Sequence, residues 1–231
     1  MGYIITAVCL VAFYALAIWG MRYITKPSLV NALASTLIFS LYLYVVLHAY
    51  LSVGFYDWNF QNTLPTANVS PFMFSLMPLA WILPKKARGY FFLLISLLSF
   101  GMLCSSILSC AYNAARDYAF HLNFLADYVA HILLSLWGVY IVRSKQVVLT
   151  GRECVKSGAL IVGVAFVMLI LNLIFDTAFF GLSLTGKHNI YNVVLVKSSL
   201  LSAVLYISGL VAILFLGYAF NKILNDRTKK A

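Results

Sequence analysis

The segment that runs from His121 to Trp137 carries polar side chains at a spacing that could serve chemistry. In this otherwise apolar stretch they follow one another at intervals of four residues: Asn123, Asp127, His131 and Ser135. In a helix this spacing places the four side chains on one face. A carboxylate one turn before an imidazole can orient the ring and hold one tautomer, as it does for a general base. We therefore predict that His131 acts as a base that Asp127 orients.

Further polar residues are expected near the same level of the fold. Charged side chains in hydrocarbon cost at least about 2.5 kcal/mol each, so those that occur there are candidates for function. We expect these charged residues, together with two asparagines near them, to line one cavity that is open to the outside and to bind a substrate. The predicted substrate-binding residues are His48, Arg116, His121, Asn123, Asn172, Asp176 and Lys197. The polar face of the segment around His131 is expected to meet a second polar face, formed by Ser40, Tyr44, His48 and Ser52.

Plainer interpretations stay open for several of these residues. Serine side chains in membrane proteins usually form hydrogen bonds between helices, which is the simpler role for Ser40, Ser135, Ser199 and Ser202. Asp176 and Lys197 lie near an expected interface, where an ion pair or snorkelling would also account for them. Asp127 and His131 are harder to explain in this way because they lie one turn apart and roughly 10 and 17 Å below the outer surface.

The elements that must position these groups are membrane helices. The chain has 231 residues, of which 63% are apolar and only 10% are charged, and its mean hydropathy is +0.95. This composition lies outside the range of soluble domains. We predict an all-α, polytopic bundle that forms a single domain over residues 1–231. Its seven spans are placed near Tyr3–Ile24, Leu29–Gly54, Val69–Pro84, Gly89–Ala111, Phe120–Val142, Val155–Phe180 and Val193–Phe220.

The basic residues predict the orientation of the chain. Thirteen of the sixteen Lys and Arg residues follow spans one, three, five and seven. By the positive-inside rule this places the N-terminus outside and the C-terminus in the cytoplasm. The net charge of +10 is then explained by topology and by contact with anionic lipid head groups, and no nucleic-acid partner is expected. The predicted location is the cell membrane.

No cofactor is expected from the sequence. The four cysteines are scattered with no CxxC pair, and His and carboxylate residues do not show the spacing of a metal site. A Gly-rich phosphate loop is also lacking.

Two segments carry a resemblance to a known family. The stretches LPTANVSPFMFSLMPLAWILPKK and FHLNFLADYVAHILLSLWGVYIV are similar to the YwaF-like bacterial membrane proteins, and the similarity extends into NLIFDTAFFGLSLTGKHNIYN. Animal relatives of that family include an acyltransferase acting on ether phospholipids. The resemblance implies a Cys nucleophile at the start of span three and a His in span five, and His131 matches the latter. Ala67 and Val69 stand where the family has His and Cys, with Ser70 nearby.

Three functions are considered from the sequence. The first is an enzyme acting on a lipid or lipid-linked substrate by acyl transfer or hydrolysis, with His131 as base, Asp127 as orienter and Ser70 as candidate nucleophile; Cys110 is a further candidate. The alternative is a transporter, or a substrate-capture subunit that binds a small solute in the same pocket. A retinal photoreceptor is disfavoured because Lys197 lies only about one turn below the outer surface.

Overall fold

The computed structural model describes residues 2–51, 68–114, 122–175, 179–182 and 199–228, and this part of the chain is almost entirely helical, without a β-strand. Short 3-10 turns follow two of the helices at Met21–Tyr23 and Phe179–Gly181. The helices are α1 (Gly2–Gly20), α2 (Pro27–Leu51), α3 (Val69–Ser75), α4 (Leu79–Ile82), α5 (Lys85–Ala114), α6 (Leu122–Arg143), α7 (Gly151–Phe175) and α8 (Ser199–Thr228).

Five of these helices are long and apolar enough to cross a membrane. Their spanning portions are Pro27–Leu51, Lys85–Leu108, Leu125–Arg143, Gly151–Phe175 and Ala203–Asn225. A shorter apolar stretch, Val8–Tyr23, belongs to the end of α1 and the turn after it. The prediction of an all-helical, multi-pass membrane protein is confirmed to this extent. The count of seven spans and the orientation of the termini stay predictions.

The third predicted span differs from a single continuous helix. Residues 69–82 form α3 and α4, which are separated by Leu76, Met77 and Pro78. Proline lacks a backbone N–H and restricts the residue before it, so Pro78 favours an interruption at this point. The same rule explains why Leu83, which precedes Pro84, is extended with ψ 139° before α5 begins.

The centre of the bundle is α5, which packs against α1, α6, α7 and α8. Its residues 91–99 are all buried, which is possible only if other helices surround it. Two glycines let neighbouring backbones approach. A Cβ on Gly138 of α6 would lie 2.8 Å from the carbonyl oxygen of Ile95, and a Cβ on Gly217 of α8 would overlap the carbonyl oxygen of Leu97.

A buried polar seam follows these close contacts. The Ser135 hydroxyl donates to the carbonyl of Ser99 over 2.5 Å and lies 2.5 Å from the hydroxyl of Tyr14. The Asn221 amide donates to the Ser96 carbonyl and to the Ser99 hydroxyl, each over 2.8 Å. Ser135 therefore forms the interhelical bonds that the plainer interpretation predicted, whereas the contact of Asn221 in α8 with α5 was not predicted from the sequence.

Three helix ends that carry Arg22, Lys26, Arg143 or Lys145 meet on one side of the bundle. Arg143 at the end of α6 donates to the carbonyl of Ile18 in α1, and Asn31 in α2 donates to Gln146 just beyond α6. These contacts hold the end of α1, the start of α2 and the end of α6 at the same level. We call this the basic side of the molecule.

The glycine contacts generate a first test. Replacing Gly217 or Gly138 by Ala inserts a methyl group against backbone atoms of α5, which should lower the free energy of unfolding by about 1–3 kcal/mol each. Gly163→Ala is the matched control, because a Cβ at that position of α7 meets no atom within 4 Å. Thermal or denaturant-induced unfolding of the three variants in detergent measures the difference in their free energies of unfolding. Equal stability of all three would contradict the close approach.

Candidate functional site

The Asp127 and His131 pair of α6 forms the core of the candidate site. The imidazole Nδ1 lies 2.8 Å from the backbone carbonyl oxygen of Asp127 and 3.5 Å from its carboxylate Oδ1. Two oxygens therefore face Nδ1, which favours the tautomer with the proton on this nitrogen and leaves Nε2 as the acceptor of a neutral ring. The backbone carbonyl makes the shorter contact, so the helix itself orients the ring and the carboxylate assists.

The two members of the pair differ in exposure. The His131 side chain is 8% exposed, whereas the Asp127 side chain is 40% exposed. Phe74 of α3 presses edge-on against the imidazole, with ring centroids 4.9 Å apart. The imidazole is thus held inside the bundle while the carboxylate remains reachable.

Local structure explains how α3 brings Phe74 to this place. Asn68 caps the helix by accepting the backbone N–H of Ser70 over 2.9 Å. Pro71 lies in the first turn, where a missing N–H costs nothing. The helix ends near Ser75, so Phe74 is fixed in its last turn between α2 and α6.

A small cavity of about 30 Å³ opens beside the carboxylate, between α2, α3 and α6. This volume holds one water molecule or a polar group of that size. Asp127 is the charged residue of the lining, and the other lining residues are apolar except for the phenol of Tyr42. The cavity is lined by Leu41, Tyr42, Val45, Pro71, Phe74, Asp127 and Ala130.

The wall that α2 contributes differs from the expected one. The sequence predicted that Ser40, Tyr44 and His48 meet the polar face of α6, but Leu41, Tyr42 and Val45 line the cavity. Ser40 is exposed. The buried residues of α2 are Ser35, Ile38, Tyr42 and Ala49, and the polar periodicity of the sequence does not mark the face that they form.

His48 and Ser70 lie near the cavity but are not among its lining residues. His48 is three residues beyond Val45, which places it on the same side of α2 one turn nearer the helix end, and its ring lies 6.1 Å from that of Tyr44. The Ser70 hydroxyl donates to the sulfur of Met102 over 3.6 Å. In the described part of the chain no hydrogen bond joins Ser70 to His131, so its role as a nucleophile stays a prediction.

Asn172 has a clear structural task. Its side-chain oxygen accepts the backbone N–H of Phe179 over 2.6 Å, and its amide donates to the carbonyls of Phe179 and Leu182. The side chain thereby closes the turn after α7 and supports Phe180, whose φ of 57° is left-handed. Phe180 packs edge-on against Phe72 of α3, with centroids 5.6 Å apart.

The remaining predicted site residues lie outside the described part of the chain. They are Arg116, His121, Asp176 and Lys197, together with the side chain of Asn123. The expectation that all candidates share one hollow therefore stays a prediction. Within the described ranges, no three His, Cys, Asp or Glu side chains come together as a metal ion would require.

The role of Asn172 can be tested by truncation. Asn172→Ala leaves the partly buried N–H of Phe179 and two carbonyls without this partner, which should lower the free energy of unfolding by about 1–3 kcal/mol. Leu173→Ala removes an exposed side chain from the same turn of α7 and serves as control. Thermal unfolding in detergent measures both variants. A smaller loss for Asn172→Ala than for the control would contradict the assigned role.

Comparisons with known proteins do not supply a family for the chain. No family model, no curated protein and no solved structure matches it. The similarity to YwaF-like proteins therefore rests on the sequence segments alone.

Proposed function

We propose that this multi-pass protein of the cell membrane binds a lipid or a small amphiphile from the outer side, in the cavity between α2, α3 and α6. The observation that supports this is the Asp127 carboxylate, which is 40% exposed on an otherwise mostly apolar wall. A charged group at such a position is costly unless polar partners meet it, and His131 provides one contact of 3.5 Å to a single carboxylate oxygen. An amphiphile would supply a further partner together with an apolar remainder.

The chemistry of the cavity limits the polar end of the ligand. An ionised carboxylate only accepts hydrogen bonds, so the ligand should present an ammonium, an amide N–H or a hydroxyl group. The volume of about 30 Å³ admits one such group. Leu41, Val45 and Phe74 would contact the carbon atoms attached to it.

His131 supports two different outcomes after binding. With Nδ1 occupied, Nε2 is the atom that could take a proton from a nucleophile in acyl transfer or hydrolysis. Ser70 is the predicted nucleophile, and it would have to leave its contact with Met102 to serve. This is the enzymatic form of the proposal.

The second candidate is a transporter or substrate-capture subunit that uses the same pocket without chemistry. It is favoured by one observation: within the described part, His131 has no hydroxyl or thiol as a hydrogen-bond partner. The polar contacts of the imidazole in this part are with two oxygens of Asp127, and its ring contact is with Phe74. Binding alone needs no such nucleophile.

We also propose the finer topology. The basic side faces the cytoplasm, seven apolar segments cross the bilayer, and the N-terminus lies outside. In this arrangement α3 and α4 together form the third, interrupted segment. The cavity then lies in the half of the bilayer nearer the outer surface.

Ligand binding at Asp127 can be tested by mass spectrometry of extracts from the purified protein. We expect an amphiphile to copurify with the wild type and to be lost from Asp127→Asn, which keeps the size of the side chain and removes its charge. Loss of a charged hydrogen bond should weaken binding roughly tenfold or more. Glu153→Gln is the control, because this carboxylate pairs with Lys156 at the start of α7. Equal retention by Asp127→Asn and wild type would refute the proposal.

His131 variants separate the enzymatic form from capture. If the protein catalyses a reaction, His131→Gln should retain the bound substrate and abolish its conversion, so that the unconverted species accumulates in the extract. If the protein only captures its ligand, His131→Gln and wild type should yield the same species.

Orientation can be tested with single cysteines in a background without other cysteines. Leu51 ends α2 and is 73% exposed, whereas Val148 lies between α6 and α7 and is 74% exposed. We expect Leu51→Cys to react with a membrane-impermeant maleimide in intact cells and Val148→Cys to react only after lysis. The reverse pattern would overturn the proposed orientation without affecting the cavity itself.

A further inference from the structure

We propose that Arg22 and Arg143 form a binding site for the phosphate of an anionic glycerophospholipid on the basic side. The site lies at the end of α1, on the face of the molecule remote from Asp127. It is independent of the function proposed above.

Arg143 is the better fixed of the two cations. It ends α6, is partly buried and donates from Nη1 to the backbone carbonyl of Ile18 over 3.1 Å. A cation is favourable there because the last carbonyls of a helix carry a partial negative charge. One contact leaves the guanidinium with further N–H donors on its planar fork.

Arg22 is held beside the same helix end by aromatic rings. Its guanidinium carbon lies 4.0 Å from the ring centroid of Trp19 and 4.8 Å from that of Tyr23. The two rings also pack edge-on against each other at 5.6 Å. A guanidinium group over the face of an aromatic ring still has its N–H donors available to an anion.

Both cations lie at the end of α1, because Arg143 contacts Ile18 and Arg22 lies over the ring of Trp19, the next residue, and neither forms an ion pair with a described carboxylate. Like charges at one helix end repel each other. The ion pairs in the described ranges are His131 with Asp127 and Lys156 with Glu153, and neither includes these arginines. Lys26 and Lys145 add exposed positive charge nearby in the chain. An anion would relieve the repulsion, and phosphate matches the forked geometry of guanidinium groups.

The surroundings favour a lipid as the source of the phosphate. Trp19 and Tyr23 are 56% and 65% exposed, and Leu16, one turn earlier on α1, is 68% exposed. Exposed aromatic residues beside an apolar helix surface are typical of the head-group level of a bilayer. A phospholipid could therefore place its phosphate between the arginines and its acyl chains along the apolar surface of α1.

Native mass spectrometry of the full chain in detergent tests the site. The probes are phosphatidylglycerol and phosphatidylcholine with the same acyl chains. We expect the wild type to retain one phosphatidylglycerol in preference to phosphatidylcholine, and the affinity to fall about tenfold or more in Arg22→Gln/Arg143→Gln. Arg22→Gln alone should show part of this loss of affinity. Because it keeps the contact between Arg143 and Ile18, this single variant tests the site even if the double variant does not fold.

The matched control is Lys86→Gln/Arg152→Gln, which removes two exposed charges from the starts of α5 and α7. It should keep the preference of the wild type. An equal loss of affinity for phosphatidylglycerol in this control would show that overall charge, and not the two arginines, causes the preference, and would overturn the site. Displacement of phosphatidylglycerol by millimolar inorganic phosphate would overturn the assignment to a lipid. Full retention in Arg22→Gln would contradict the role of that residue.

Discussion

The fold depends on the close approach of α5 to α6 and α8. Lipid tails are as apolar as leucine, so burial of apolar side chains does little to hold helices together in a bilayer, and packing and hydrogen bonds must do so. Gly138 and Gly217 remove the side chains that would keep the backbones apart. The shortened distance lets Asn221 and Ser135 reach backbone oxygens of α5. Since these contacts fix the rotation of α6, the position of His131 depends on them.

The rotation of α6 also explains why one stripe of polar residues serves two purposes. Residues four apart in an α-helix are offset by about 40°, so Asp127 and Ser135 differ by about 80° around the axis. Ser135 points to α1 and α5, where it meets Tyr14 and Ser99. Asp127 consequently turns toward α2 and borders the cavity. His131, between the two, is enclosed by Phe74.

The sequence predicted the helices better than the faces they present. Long apolar runs identify α2, α5, α6, α7 and α8, because a bilayer imposes a length and a composition on its spans. The face of α2 toward the cavity could not be obtained in the same way. Apolar residues face lipid and interior alike in a membrane protein, so polarity did not reveal that Leu41 and Tyr42 line the cavity while Ser40 is exposed. Likewise Asn172, a predicted ligand contact, holds the backbone turn of Phe179.

Helix α6 carries one charged residue of each proposed site, Asp127 and Arg143. Asp127 lies in the N-terminal half of the helix and Arg143 at its C-terminal end, where the helix dipole favours a cation. Each of the two residues is also partly exposed. The seam at Ser135 lies between them, so a ligand at either end meets a helix whose rotation is already fixed. Because Ser135 fixes this rotation without either ligand, we expect the loss of one proposed site to leave the other intact.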